Sequence, residues 1–335
     1  MSTSVLPASD VREAVERLRA LPATALFRAP TPVEELVRLR AALGGDGPRL
    51  VVKRDDAIPF GFGGNKVRKL QLVLSQAIAA GADALVTTGG VQSNHARATA
   101  AAAAKLGLGC TIVANGSPPD RPTANALLDA LLGAHLEYVS SREERAPAMQ
   151  RVAERLRAAG RTPYEIPLGA STPTGAAAFA RAIGELLEQT SAPDVIVHAS
   201  SSGGTQAGLV AGCALFGLPT RVIGVSADDS AADIGAQVRR IIEGLAPMVG
   251  LDAHTLLERA HLEVDDRFVG AGYGVPTDAS REAQTLFARN EALFVDHTYT
   301  AKAAAAIISY VREGRFKRDA TVLFWHTGGQ VGLFA

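Results

Sequence analysis

The chain has 335 residues, is 47% hydrophobic, and carries 34 basic and 34 acidic side chains that cancel to a formal net charge of zero. Neutrality leaves no electrostatic footprint for nucleic acid or an anionic membrane surface, and no apolar run reaches the roughly 18 residues a membrane helix needs. No basic stretch with an apolar run and a cleavage site opens the sequence, so no signal peptide is expected; the apolar fraction supports a full core in one large domain or two, and a soluble, cytoplasmic protein is the expectation.

The N-terminal region reads as two helices. Asp10-Val11-Arg12-Glu13 has the form of a capping box ahead of the stripe Val11, Ala14, Val15 and Leu18. Thr31-Pro32-Val33-Glu34 has the form of a second, with Thr31 at the N-cap and Pro32 at the first helical position. From Arg49 onward the pattern alternates. Strand-like runs fall at 50–53, 84–88, 110–114, 136–139 and 164–166, with helix-like runs at 66–80, 94–106, 122–132 and 146–159 between them. Gly81, Gly107, Gly133 and Gly160 each follow a helix where left-handed geometry is wanted. After Pro173 come a helix to 189, a strand at 194–199, a helix at 205–216, a strand at 221–225, helices at 231–245, 279–291 and 301–312, and a last strand at 321–326. Alternation of this kind means βαβ units and parallel sheets covered on both faces, an α/β protein. So many strands suit two open twisted sheets better than one, and Ser171-Thr172-Pro173-Thr174-Gly175 is the natural crossing between lobes. Cys110 and Cys213 lie in apolar contexts and are expected to be buried free thiols, not a disulfide or a metal pair. No metal site is expected.

The chemistry concentrates in loops. Gly61-Phe62-Gly63-Gly64-Asn65-Lys66 places a lysine where a glycine-rich turn becomes a helix. The positive end of the helix dipole disfavours its cationic form, and a lysine with a lowered pKa is a nucleophile able to form a Schiff base with an aldehyde; the alternative is a plain surface turn. Gly89-Gly90-Val91-Gln92-Ser93-Asn94-His95 follows a strand and opens a helix, a ready carboxylate cradle, or else ordinary capping by Ser93 or Asn94. Ser200-Ser201-Ser202-Gly203-Gly204-Thr205 repeats that arrangement with hydroxyls suited to a phosphate dianion. It is neither a Walker loop nor a dinucleotide fingerprint, because no Gly-Lys-Ser/Thr follows and the glycines are adjacent. Tyr273 and Tyr299 each stand on a loop before a helix, as proton donors, stacking faces or packed rings. Trp325-His326-Thr327-Gly328-Gly329 follows the last strand, at the strand end where open α/β sheets hold ligands. A lysine on a glycine turn, a phosphate cradle and a carboxylate cradle together are what a pyridoxal phosphate enzyme acting on an amino acid needs. A binding protein that uses the same cradles without chemistry is the alternative from another class.

Five stretches, Gly63 to Leu70, Gln92 to Arg97, Ser202 to Gly208, Gly272 to Pro276 and His326 to Gly329, are together similar to the D-cysteine desulfhydrase and 1-aminocyclopropane-1-carboxylate deaminase family, of the tryptophan-synthase-β type of fold. The likeness runs in order from about Leu50 to the C-terminus. It implies two open α/β domains with pyridoxal phosphate in the cleft between them, a larger one of residues 1–65 plus 175–335 and a smaller one of 66–174. Lys66 would be the Schiff-base lysine, and Asn65, Asn94, Ser202, Gly203, Gly204, Thr205, Thr300 and Thr327 would hold the cofactor. Gln92, Ser93, Asn94 and His95 would seat the substrate, Ser93 with a nucleophilic or proton-moving role, and Tyr273 and Tyr299 would flank it as catalytic residues. A homodimer is implied. Relatives read Asp-Pro-Val-Tyr where this chain has Asp296-His297-Thr298-Tyr299, and the deaminases place a glutamate where Thr300 stands. Without that acid near the pyridine nitrogen, α,β-elimination from a β-substituted amino acid such as D-cysteine is expected over cyclopropane ring opening. Cysteate is a further candidate, provided a cationic pocket receives its sulfonate.

Overall fold

Short strands, buried at the sheet centres and partly exposed at the edges, sort into two sheets in the computed structural model, which describes residues 8–335. In chain order the elements are α1 (Ala8–Ala20), β1 (Val33–Glu35), α2 (Val37–Ala42), β2 (Arg49–Arg54), α3 (Asn65–Ala79), β3 (Ala84–Gly90), α4 (Asn94–Leu106), β4 (Gly109–Asn115), α5 (Ala124–Leu131), β5 (His135–Val139), α6 (Arg145–Ala158), β6 (Pro163–Ile166), α7 (Pro173–Gln189), β7 (Val195–Ser200), α8 (Gly204–Leu215), β8 (Arg221–Ser226), α9 (Ala231–Leu245), α10 (Ala253–Glu258), β9 (Leu262–Asp265), α11 (Asp278–Glu291), α12 (Thr300–Arg312) and β10 (Thr321–His326). The six-stranded sheet has the order β1-β2-β10-β7-β8-β9 and the four-stranded sheet β5-β4-β3-β6. All pairings are parallel except β1 with β2.

Alternation of side chains along each strand builds two cores on the larger sheet. Val51, Ile196, Val222, Leu323 and Trp325 face α7, α8 and α9. Their neighbours Val52, Val197, Ile223, Val322 and Phe324 face α11 and α12. Helix α8 is buried along its whole length. It can lie so close to α7 because Gly208 has no Cβ, which would collide with the Ala176 carbonyl and Phe179.

Chain order reverses twice. In the larger sheet β10 returns between β2 and β7, and in the smaller sheet β6 returns on the far side of β3. Such switch points leave a crevice at the carboxyl ends of the strands. The loops leaving β3, β6, β7 and β10 all line one cleft of about 470 Å³.

The N-terminal expectations need correction. Helix α1 is already formed at Ala8, so Asp10 lies in its first turn, where the helix dipole favours an acid, and is not the cap. What precedes Ala8 lies outside the described residues. Thr31 caps no helix. Its hydroxyl donates to Asp55 Oδ1 at 3.0 Å and its N–H to Glu185 Oε1 at 2.9 Å, and Val33–Glu35 pairs with β2 as a strand. Tertiary pairing overrides the local capping pattern there. The short elements α10 and β9 fall in a stretch where the sequence pattern marked no element. The four helix-terminating glycines do take positive φ, between 69° and 76°, and both cysteines are free.

Candidate functional site

The turn before α3 is built from glycines because nothing else fits. Gly63 has φ 67°, and a Cβ there would lie 2.7 Å from the carbonyls of Asp56 and Ile58. The turn is tied at several points. Gly64 N–H donates to Asp55 O at 2.8 Å, Asn65 N–H to Thr327 O at 3.0 Å, and Arg97 donates to Gly61 O and, at 3.4 Å, to Gly63 O. One turn further, Arg68 pairs with Asp55 at 2.6 Å and Glu185 at 2.7 Å, while Trp325 Nε1 donates to Asp55 at 2.9 Å. Helix α3 therefore starts at a fixed point against the ends of β2 and β10, with Lys66 as its second residue.

Lys66 is half-buried on the cleft wall and makes no hydrogen bond or ion pair among the described residues. Desolvation lowers its pKa to about 8. The point where a Cβ on Gly169 would sit is 3.4 Å from Lys66 Nζ and 2.5 Å from Ser202 Oγ. The amine and the Ser202 to Thr205 loop are thus neighbours. That loop opens α8 with Gly203 at φ 76°; the Gly204 N–H donates to Ser202 O at 3.0 Å, and the N–H groups of the turn after it, having no intrahelical partner, are the ones open to an anion. Ser171 Oγ meets Ser202 Oγ at 2.7 Å and accepts from Gly204 N at 3.3 Å, and Asn65 Nδ2 donates to Thr205 Oγ1 at 2.9 Å.

A second lysine completes this corner. Lys69 is buried, with Nζ 3.1 Å from Gly169 O, 3.3 Å from Ser171 Oγ, and 2.9 Å from where a Cβ on Gly204 would sit. Burial, then the charge of Lys66, drives its pKa well down. An anion at the α8 N-terminus would reverse that penalty. Sequence reasoning missed Lys69, although its i,i+3 spacing from Lys66 puts both on one helix face.

Opposite lies the start of α4. Ser93 is its N-cap, accepting from Ala96 N at 3.2 Å, and Asn94 Oδ1 accepts from Asn125 Nδ2 at 3.0 Å. His95 lines the cleft with Nε2 at 2.8 Å from Thr87 Oγ1 and Nδ1 unpartnered. Burial, and then Lys66 and Lys69, keep its ring neutral. Tyr273 and Tyr299 close the third side, hydroxyl to hydroxyl, with ring centroids 5.6 Å apart and planes at 75°. Burial raises the pKa of both phenols, that of Tyr299 well above its ordinary value.

The cleft therefore gathers Asn65, Lys66, Ser93, Asn94, His95, the Ser202 to Thr205 loop, both tyrosines and Thr327. Two expected residues stand apart. Thr300 is fully buried, with its hydroxyl donating to Asp296 Oδ1 at 2.7 Å; as the first residue of α12 its side chain turns back to the loop it closes. Gln92 is off the wall as well, and its amide braces the chain at Thr123 O (3.2 Å) and Asn125 N (2.9 Å). Asn115 at the end of β4, Arg145 at the start of α6, and Arg142 and Asp228 on loops join the wall from stretches whose sequence carries no motif.

Two parallel α/β sheets with a nucleophilic amine and an anion cradle at their switch points define an enzyme that fixes a phosphorylated aldehyde in the cleft. Residues 24–328 match the family model described as pyridoxal-phosphate dependent enzyme, and the chain belongs to that family. Pyridoxal phosphate is its cofactor. The chain is 37% identical over 331 residues to D-cysteine desulfhydrase of Salmonella typhi, covering 96% of this chain and 98% of the relative. Among solved structures it is similar to an ACC deaminase homologue, at 31% identity with a TM-score of 0.88 over 96% of each chain. The processed form of threonine deaminase isoform 2 from Solanum lycopersicum shares the fold, at 16% identity and a TM-score of 0.71 over 98% of this chain and 92% of that one. The residues of the cleft fit the cofactor: Lys69 and the N-terminus of α8 suit its phosphate, and Lys66 lies beside them.

Proposed function

We propose that the chain is a lyase that removes the Cβ substituent of a small β-substituted amino acid, D-cysteine first among them, giving pyruvate, ammonia and sulfide. The observation that carries the reading is the meeting, in one cleft, of the Lys66 amine lowered to about 8, the α8 cradle and a pair of protonated tyrosines. The D-cysteine desulfhydrase of Salmonella typhi supports the choice of substrate.

Bound pyridoxal phosphate supplies an electrophilic carbon and an electron sink. The chain supplies the rest. Lys66 Nζ would hold the cofactor, and Ser202, Gly203, Gly204 and Thr205, with Asn65 and Lys69 beside them, would seat its phosphate. Thr327 would serve the pyridine nitrogen and Asn94 the ring hydroxyl. The N-terminus of α4, with Ser93 and Asn94, receives the substrate carboxylate, flanked by His95. Lys66 Nζ, Ser93 Oγ and the two phenols are the atoms placed to move protons, and their raised pKa values keep the phenols protonated as donors toward a departing group.

Elimination is favoured over ring opening by the region of Thr300. Opening a cyclopropane has no electronegative leaving group and leans on an acidic partner for the pyridine nitrogen. Position 300 offers a hydroxyl already given to Asp296, and the Asp296 carboxylate is itself filled by the N–H groups of Thr298, Tyr299 and Thr300. Incubation with D-cysteine, L-cysteine and 1-aminocyclopropane-1-carboxylate, with identification of the keto acid, tests the reading. Pyruvate from a cysteine is the expected result; 2-oxobutyrate from the cyclopropane, with no pyruvate from any β-substituted alanine, overturns it.

We also propose a larger domain of residues 1–65 plus 175–335 and a smaller one of 66–174, a division supported by the membership of the two sheets. A homodimer is supported by the exposed Leu131 and Phe334, on α5 and on the C-terminal turn that packs near it; a sedimentation mass of one chain, 34.8 kDa, would contradict it. The two free thiols favour the cytoplasm. No helix among the described residues is long and apolar enough to cross a membrane.

A further inference from the structure

Four cations line the cleft, and the reading above uses only the two lysines. The others, Arg142 and Arg145, come from the smaller sheet, on the loop after β5 and at the first residue of α6. That loop is pinned by Ser140, whose N–H and hydroxyl both donate to the Glu144 carboxylate at 3.0 Å. Arg142 has its charge matched. Its Nη1 reaches Asp228 Oδ2 at 3.2 Å on the loop after β8, and its guanidinium lies 5.2 Å from the Tyr273 ring centroid.

Arg145 is different. Its Nε donates to Arg142 O at 3.0 Å and its Nη1 to Asn115 Oδ1 at 3.5 Å, which leaves Nη2 with no protein acceptor among the described residues. No carboxylate lies within ion-pair distance of it; Asp228 is bonded to Arg142 and Glu143 is exposed at the rim, and both act on Arg145 only at longer range. Its position is also defined. Asn115 Oδ1 lies 3.9 Å from where a Cβ on Gly90 would sit, at the strand end just before the Ser93 cradle, and Arg142 covers Tyr273. Arg145 therefore shares the cleft wall with the carboxylate cradle and the tyrosine pair, bonded to Arg142, which covers Tyr273, and to Asn115, which lies near Gly90. On the pose proposed above, with the carboxylate at α4 and Cα near Lys66, the Cβ substituent would face this part of the wall.

Resting on the elimination reading, we infer that Arg145 is a specificity-determining residue that admits substrates whose Cβ substituent is fully ionised, a sulfonate being the simplest that can also leave. The guanidinium fork matches the oxygens of such a group. Burial and the neighbouring Arg142 both lower the Arg145 pKa, and an anion beside the two relieves that strain. The chemistry needs no added oxidant. In cysteate the Cα–H and Cβ–S bonds break, the proton passes to the protein, and the Cβ–S electron pair leaves with sulfur as sulfite. With one water the products are pyruvate, ammonium and bisulfite.

The test is steady-state kinetics of the holoenzyme on both enantiomers of cysteate, cysteine and β-chloroalanine, for wild type, Arg145→Gln and Arg145→Lys. Wild type is expected to form pyruvate from cysteate. Arg145→Gln should raise KM for cysteate by about 10- to 100-fold, the scale of one charged hydrogen bond, and leave kcat/KM for chloroalanine within about two-fold. Arg145→Lys should recover part of the loss. The inhibition constant of 3-sulfopropanoate, which cannot react, should rise in Arg145→Gln by the same factor as KM. Equal loss on every substrate overturns the inference, because Arg145 would then serve the α-carboxylate or the fold; so does unchanged handling of cysteate. Pyruvate from chloroalanine with none from cysteate defeats this inference alone, whereas no pyruvate from any of them defeats the elimination reading beneath it.

Discussion

At the scale of single residues the site is a matter of which protons can move near neutral pH. Lys66 is drawn down to about 8 by desolvation, so a usable fraction of it is a free amine. Tyr299 is pushed the other way, by burial and then by Tyr273, and keeps its proton. His95, in the same cleft, is held neutral by burial and the two lysines. Tyr299→Phe should therefore cost turnover by roughly 10²- to 10⁴-fold, the worth of positioned acid–base help, with little change in melting temperature, read by kinetics beside a thermal scan. A large drop in stability with full activity per folded molecule would mean that Tyr299 only packs.

At the scale of elements the work is done by two helix N-termini, α4 and α8, aimed into one cleft from different sheets. Gly204 is where backbone, Ser171 and Lys69 come closest, with a Cβ there 2.6 Å from Ser171 Oγ and 2.9 Å from Lys69 Nζ. Gly204→Val should weaken pyridoxal phosphate binding measured by equilibrium dialysis; unchanged affinity would place the phosphate elsewhere. These loops were legible in the sequence because their chemistry is local: glycines, hydroxyls and a helix start lie within a few residues of one another. What failed was long-range. The pattern at Thr31 looks like a cap, but Asp55, Glu185 and a strand partner 20 residues away claim it. Thr300 sits one residue from Tyr299, yet its side chain is turned from the cleft by Asp296, an interaction that no spacing rule reveals. Arg142 and Arg145 carry no motif and reach the cleft only because β5 lies at the far edge of its sheet from β6 and sends its loop over the opening.

At the scale of the molecule, chain reversals in two sheets leave crevices that face each other, and the Arg142–Asp228 pair, at 3.2 Å, joins loops of the two sheets across the opening. The glycine turn between β2 and α3 links the sheets and carries Lys66 to the centre of that space. The central claim is that this amine, and not the more deeply buried Lys69 one turn along, holds pyridoxal phosphate. Borohydride reduction of the loaded protein followed by peptide mapping decides it. The account predicts a pyridoxyl group on Lys66, with the extent of trapping by the cofactor-free protein rising with pH to a plateau above about 8. A label on Lys69 with Lys66 unmodified would contradict it.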